Sequence, residues 1–164
     1  QRHLSYVRLV HRAISSNDES IRYKFHVPWS KLISAPLIKR ANIRFEETLV
    51  ANDTMFSLLV GSKAKSITAD DERVYCVFES ANSLTKRTNF ASLEQRYDVI
   101  NRYNHWLKLN IDKPSKYYTS LLPIVVRMAK VDKLRAFKLF IKAMFKETAS
   151  FAWISLIRNL WVKF

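Results

Sequence analysis

The chain has 164 residues, of which 48% are apolar and 13% aromatic, and this is enough to bury the core of one globular domain. Its net charge of +14 favours nucleic acid, an anionic membrane or a phosphorylated substrate as the partner. The single glycine excludes Gly-rich phosphate loops and dinucleotide fingerprints, and the single cysteine excludes an intrachain disulfide or a zinc cluster.

The N-terminal part of the chain predicts three helices. Apolar residues recur at helical spacing from His3 to Ser15, and a weaker helical pattern covers Glu19 to Phe25. Ser34 is a suitable N-cap for a third helix over Ala35 to Ala41, and Asn42 suits its end.

The middle of the chain mixes strand and helix patterns. Ile43 to Phe45, Lys65 to Thr68 and Arg73 to Phe78 are predicted to be short strands. A helix is predicted from Thr54 to Val60 and is expected to end at Gly61. The acidic Asp70-Asp71-Glu72 turn lies between the last two strands, and we interpret it as solvated rather than metal-binding, because no histidine accompanies it.

The C-terminal part predicts helices only. A helix over Phe90 to Leu109 is capped by Asn89, and a second over Tyr117 to Ala129 is expected to kink at Pro123. Val131 to Thr148 is amphipathic, and a last helix is predicted from Ser150.

The helix over Val131 to Thr148 has two distinct faces. Its apolar face holds Leu134, Phe137, Phe140, Ile141, Met144 and Phe145, and its basic face holds Arg135, Lys138, Lys142 and Lys146. From Lys113 to Phe164 there are eleven Lys or Arg against two Asp or Glu, a balance of +9. This pattern fits either a helix in a membrane interface or a helix that packs on the core.

Asp53 stands at the junction between a predicted strand and a predicted helix. A carboxylate there can cap the helix by accepting bonds from its free backbone N–H groups. It can also face a cleft and accept a proton as a general base. The spacing alone leaves both roles open.

Six motifs in a fixed order carry a resemblance. They are Val27-Pro28-Trp29-Ser30-Lys31-Leu32-Ile33, Ile43-Arg44-Phe45-Glu46-Glu47, Asn52-Asp53-Thr54-Met55-Phe56-Ser57, Ala64-Lys65, Val74-Tyr75-Cys76 and Ser83-Leu84-Thr85. Together, over about Pro28 to Tyr103, they resemble the C-terminal half of a family 2 glycosyltransferase, the bacterial inverting kind that builds surface polysaccharide and lipopolysaccharide.

The resemblance implies a fold and a domain organisation. The fold would be α+β and mainly helical, as the C-terminal part of a GT-A type glycosyltransferase with a few short strands and a helical tail. Residues 1–110 would be the acceptor-side half of the catalytic domain, and residues 111–164 a basic amphipathic extension. The chain contains no Asp-x-Asp motif, so the nucleotide-binding half, with the Mg or Mn site of the complete enzyme, is expected upstream of Gln1. This fragment itself is expected to bind no metal.

The resemblance also implies roles for particular residues. Asp53 would be the catalytic base, with Asn52 in place of the commoner Glu. Trp29, Lys31 and Asn52 would bind the acceptor, although a buried indole beside a solvated lysine is also compatible with the pattern of Trp29 and Lys31. Ser80 stands where the family often has a basic residue, so Lys86 or Arg87 would contact the donor instead.

The partners implied are a nucleotide-sugar donor and a saccharide or lipid-linked acceptor, with residues 131–164 available for an anionic membrane surface. The expected location is cytoplasmic, or peripheral on the inner face of the plasma membrane. The alternative is a non-enzymatic basic helical module that binds anionic membrane or nucleic acid. No recognised nucleic-acid motif is present, which argues against nucleic acid.

Overall fold

Seven α-helices and one short 3₁₀ helix make up the part of the chain that the computed structural model describes, residues 2–72, 74–76 and 89–146. The helices are α1 (Arg2–Ser16), α2 (Ser20–Lys24), α3 (Ala35–Arg40), α4 (Asn52–Lys63), α5 (Phe90–Asn110), α6 (Leu122–Val131) and α7 (Lys133–Lys146). The 3₁₀ helix is Pro114–Lys116. The helix predicted from Ser150 lies outside the described residues.

The prediction of an α+β fold with GT-A type strands is wrong for the described residues, which contain helices and no strand. At Ile43 to Phe45 the backbone makes turn bonds instead of a ladder, since the Ile43 N–H donates to the Ile38 carbonyl at 3.1 Å. Ile43 is buried against Phe56 and Val60 of α4, and the Phe45 ring stacks on the Phe56 ring. The apolar alternation therefore reflects packing on a helix.

The two other predicted strands are also absent where they can be judged. Residues 65–68 and 74–76 are not in a strand, and Arg73, Val77 and Phe78 lie outside the described residues.

The chain divides into two compact units, Gln1–Ser80 and Ala81–Phe164. In the first unit, α2 packs on both α1 and α4, and α3 packs on α4. One buried cluster joins Tyr6 and Leu9 of α1 to Phe25 and Val27, which follow α2. The expected domain boundary at Asn110 falls at the end of α5, inside the second unit.

Helix α4 does not end at Gly61 as predicted, but continues to Lys63. The glycine serves close packing instead. A Cβ atom built on Gly61 would lie 1.8 Å from the carbonyl oxygen of Arg22 in α2. Glycine is thus required because the backbone of another helix occupies the space that a side chain would fill.

Helix α5 supports the second unit, and its predicted N-cap is confirmed. The Asn89 side chain accepts a hydrogen bond from the Ser92 N–H at 2.8 Å. Leu93, Tyr97 and Ile100 of α5 are buried in one cluster with residues of α6 and α7.

The helix predicted over Tyr117 to Ala129 begins later, at Leu122. Asn104 of α5 holds the preceding segment out of helical geometry, since its side chain donates to the Thr119 carbonyl and accepts from the Thr119 N–H, each at 2.9 Å. Pro123 therefore falls in the first turn, where its missing N–H costs nothing, and does not kink the helix interior.

A single residue, Asp132, separates α6 from α7. Its N–H donates to the Met128 carbonyl and ends α6, and its carboxylate accepts from the Arg135 N–H at 3.0 Å and caps α7. Among the described residues, no helix is long and apolar enough to cross a membrane.

We predict that Gly61→Ala lowers the free energy of unfolding by at least about 2 kcal/mol. The new Cβ must displace the Arg22 backbone, which outweighs the gain in helix propensity of about 1 kcal/mol. Urea denaturation measures the change. Lys63→Ala, an exposed position in the same helix, is the control and should change stability by less than about 0.5 kcal/mol. A Gly61→Ala variant as stable as the control would contradict the close packing.

Candidate functional site

The start of α4 presents Asn52 and Asp53. Asn52 is exposed and Asp53 is half-buried in the first helical turn. The N-cap is Ala51, whose side chain makes no cap hydrogen bond, so the first N–H groups of the helix are not capped by that residue. A carboxylate in this turn is favoured by the positive end of the helix dipole. Asp53 therefore lies in the first turn, near the positive end of the helix dipole, but it is not the N-cap residue.

Three contacts place residues 22–31 alongside α4, in the opposite direction. Near the end of α4, the Arg22 guanidinium donates to the Gly61 and Ala64 carbonyls at 2.7 and 2.6 Å. In the middle of the helix, the Ser57 hydroxyl donates to the His26 carbonyl at 2.7 Å. Farther along this segment, Lys31 interacts electrostatically with Asp53 in the first turn of α4.

Lys31 and Asp53 influence each other electrostatically. Burial lowers the pKa of Lys31 to about 8, and the negative charge of Asp53 acts in the opposite direction and raises it. The Lys31 ammonium donates to the Phe25 carbonyl at 2.5 Å and lies 5.1 Å from the centre of the Phe25 ring. The electrostatic effect of Asp53 on Lys31 relates two residues that are far apart in sequence and that the resemblance assigns to one site.

Trp29 lies in an aromatic cluster of the same unit. Its indole stacks on Tyr75, with ring centres 5.7 Å apart and an angle of 17° between the planes. It also makes edge contacts with Tyr6 and Phe25. Trp29 is half-buried, and Tyr75 covers one face of its ring.

Two backbone positions at this site have left-handed geometry without glycine. Ser30, between Trp29 and Lys31, has φ of 60°, and Ala51, before Asn52, has φ of 60°. The other two such residues in the described part of the chain are Asn17 and Asn42, and Asn tolerates this geometry well. Ser and Ala pay on the order of 1 kcal/mol there, and residues in such conformations cluster at functional sites.

Other site predictions fall elsewhere. Lys86 and Arg87, the candidate donor-binding residues, lie outside the described residues. Asp70, Asp71 and Glu72 are exposed, and the Asp70 carboxylate accepts from the Glu72 N–H at 2.7 Å in a local turn. Within residues 2–72, 74–76 and 89–146, no group of three or more His, Cys, Asp or Glu side chains is placed to hold a metal ion.

Two surface hollows are found away from Asp53. One lies in the first unit beside Arg22, Asp18 and Ile67. The other lies in the second unit between Phe90 and Arg135. A carboxylate that acts as a general base must face a cleft, and Asp53 lines neither of these two hollows.

Sequence reasoning missed the residues that assemble this site. Arg22 was seen only as part of a weak helix, and Tyr75 only as part of a strand. The left-handed backbone at Ala51 carries no sequence signal, because alanine is a helix former. The one available signal was the lone glycine, since Gly61 inside an apolar helical pattern indicates a close approach of backbone.

Comparison with known protein families, with curated proteins and with solved structures finds no match for this chain. The family 2 glycosyltransferase resemblance consequently rests on the residues of the chain itself.

The lowered pKa of Lys31 predicts a pH dependence of stability. In the unfolded chain Lys31 has its ordinary pKa of 10.5, so between pH 8 and 10.5 the unfolded state binds more protons than the folded state, and stability rises with pH. Burial raises the pKa of Tyr103, which lowers stability above its ordinary value of 10.0. The window in which Lys31 dominates is therefore about pH 8 to 10.

We expect the free energy of unfolding of the native chain minus that of Lys31→Met to rise across this window by at most about 1 kcal/mol per pH unit, because Lys31 is partly exposed. Urea denaturation at several pH values measures it. Lys63→Met removes an exposed lysine, and its free energy of unfolding should change with pH as that of the native chain does. A constant difference for Lys31→Met would show that its amine is not desolvated.

Proposed function

We propose that this chain is the acceptor-side part of an inverting glycosyltransferase. It would help to move a sugar from a nucleotide-sugar donor to a saccharide or lipid-linked acceptor. The observation that carries the proposal is the packing of the segment that follows α2 along α4, with the charge of Asp53 at the start of α4 acting on Lys31. These residues come from two separate motifs of the resemblance, one assigned to the acceptor wall and one to the catalytic base.

In the proposed reaction the acceptor oxygen forms a bond to the anomeric carbon of the donor sugar, on the face opposite the diphosphate. The bond from that carbon to the diphosphate oxygen breaks, and its electron pair leaves with the nucleoside diphosphate. The proton of the acceptor hydroxyl passes to the Asp53 carboxylate. Asp53 suits this step because it is half-buried rather than sealed, and because a carboxylate can accept a proton as a general base.

Lys31 and Trp29 would hold the acceptor. The Lys31 ammonium uses one N–H on the Phe25 carbonyl, and an ammonium has three, so two remain to donate to sugar hydroxyls. The exposed part of the Trp29 indole would pack on the apolar face of a pyranose ring. Holding the hydroxyl in line with the anomeric carbon would also contribute to the rate.

The resemblance implies a divalent cation in the complete enzyme. The described residues do not form a ligand set for a divalent cation, and none of the steps above uses a metal. The reaction would take place on the cytoplasmic side of the plasma membrane.

The decisive experiment uses a polypeptide that joins this chain to its nucleotide-sugar-binding half. We expect Asp53→Asn to lower kcat at least about a hundredfold, because a general base contributes that much or more. The affinity for the nucleotide-sugar donor should be unchanged, since donor binding does not use Asp53. Steady-state kinetics and donor titration give the two quantities. This chain alone should show no transfer.

The control is Asp70→Asn, which removes an exposed carboxylate of the same unit and should leave kcat within about twofold. A near-native rate for Asp53→Asn would remove Asp53 from the role of base. Equal losses for Asp53→Asn and Asp70→Asn would point to folding rather than chemistry.

A further inference from the structure

Helix α7 buries the small residue Ala136 and exposes two large apolar residues, Leu134 and Phe137. Ala136 is only 2% exposed, and it lies with the partly buried Leu139 against the cluster of α5 and α6. Leu134 and Phe137 are 65% and 60% exposed, and Ile141 is half-buried. Since Leu134, Phe137 and Ile141 are three and four residues apart, they share one side of the helix. We call this side the outer face of α7.

This arrangement differs from that of an ordinary core helix, whose largest apolar side chains point inward. Burying Leu134 and Phe137 would remove apolar surface from water and contribute about 1.5–3 kcal/mol per side chain. The outer face is therefore suited to contact a partner other than α5 and α6, on which α7 already packs.

Basic residues border the outer face on both sides. Lys133 lies one turn from Phe137, and Lys138 lies one turn from Leu134. Lys130 lies in the last turn of the preceding helix, α6. All three lysines are exposed, and none forms an ion pair with another residue in the described part of the chain. Residues 122–141 contain five Lys or Arg and one Asp, so this helix pair is locally basic.

We propose that the outer face of α7 docks on a lipid bilayer that contains anionic lipids. Leu134 and Phe137 enter the boundary between headgroups and acyl chains, and the flanking lysines contact the anionic headgroups. This is the chemistry of an amphipathic helix that lies in the plane of a membrane interface.

The charges favour a bilayer over the two other possible occupants. In a symmetric dimer, the same surface of each copy faces the other, so lysines would face lysines around the apolar residues. Nucleic acid would use the lysines but has no use for two exposed large apolar side chains among them. An anionic bilayer complements both the positive charge and the apolar surface.

The test measures binding of the whole chain to vesicles by flotation. The vesicles contain phosphatidylglycerol and phosphatidylcholine in equal parts, or phosphatidylcholine alone. We expect binding to the mixed vesicles, which added salt weakens, and little binding to phosphatidylcholine alone. Each lysine near an anionic surface contributes about fivefold in affinity, so the triple change Lys130→Glu, Lys133→Glu and Lys138→Glu should weaken binding at least about a hundredfold.

The apolar side is tested by the double change Leu134→Ser and Phe137→Ser, which should weaken binding at least about tenfold. Matched controls lie in the first unit. Leu4 and Ile14 are 55% and 50% exposed on α1, and changing both to Ser removes similar apolar surface. Lys39, Lys63 and Lys65 are exposed, and changing all three to Glu alters the net charge equally. The apolar control should retain binding, and the charge control should lose far less than the α7 variant.

Three outcomes would overturn the proposal. The first is that both α7 variants bind mixed vesicles as strongly as the native chain does. Another is an equal loss in the charge control and the α7 charge variant, which would show that net charge alone drives binding. The third is that the native chain does not bind vesicles but sediments as a dimer, and that Phe137→Ser dissociates this dimer. Circular dichroism checks that each variant keeps its helix content. The result does not depend on whether Asp53 is a catalytic base.

Discussion

The first unit depends on the close approach of α2 to α4 at Gly61. With no side chain at that position, the Arg22 carbonyl lies where a Cβ would be, and the Arg22 guanidinium can bond to two carbonyls at the end of α4. That contact sets where the 22–31 segment starts along α4, and the Ser57 bond to His26 sets its direction. Farther along the segment, Lys31 interacts electrostatically with Asp53 in the first turn of α4. The proposed site is thus a consequence of helix packing, and its geometry is decided a full helix length away from Asp53.

Helices with strong periodicity could be predicted from the sequence, and their ends less well. The helix from Phe90 and its Asn89 cap are local features, because both depend on residues within one turn, and both are confirmed. The start of α6 could not be predicted, since it depends on the two hydrogen bonds between Asn104 and Thr119. The end of α4 was misplaced because glycine was taken as a stop signal, whereas Gly61 answers a contact with a residue distant in sequence.

The predicted strands failed for a similar reason. Ile43 and Phe45 alternate with polar residues, which is the pattern of a half-buried strand, but the same pattern arises when an irregular segment places every second side chain on a helix. Their packing on Phe56 decides between the two, and that packing is a tertiary contact. For the site, the sequence indicated candidate residues, but it did not indicate their burial or their neighbours in the fold. Nothing local to Lys31 indicates that burial lowers its pKa, or that Tyr75 covers one face of Trp29.

The two proposals concern different units, and they are physically compatible without any fixed arrangement between those units. A lipid-linked acceptor is confined to a membrane surface. A protein that binds the same surface through α7 meets that acceptor at a raised effective concentration, and this gain requires only that the connection be long enough to span the two sites. A soluble saccharide acceptor would gain nothing from membrane binding. In a polypeptide that joins this chain to a nucleotide-sugar-binding half, loss of the apolar residues Leu134 and Phe137 should therefore slow transfer to a lipid-linked acceptor in vesicles, while transfer to a soluble saccharide keeps its rate. That contrast separates an effect of location from an effect on the chemistry at Asp53.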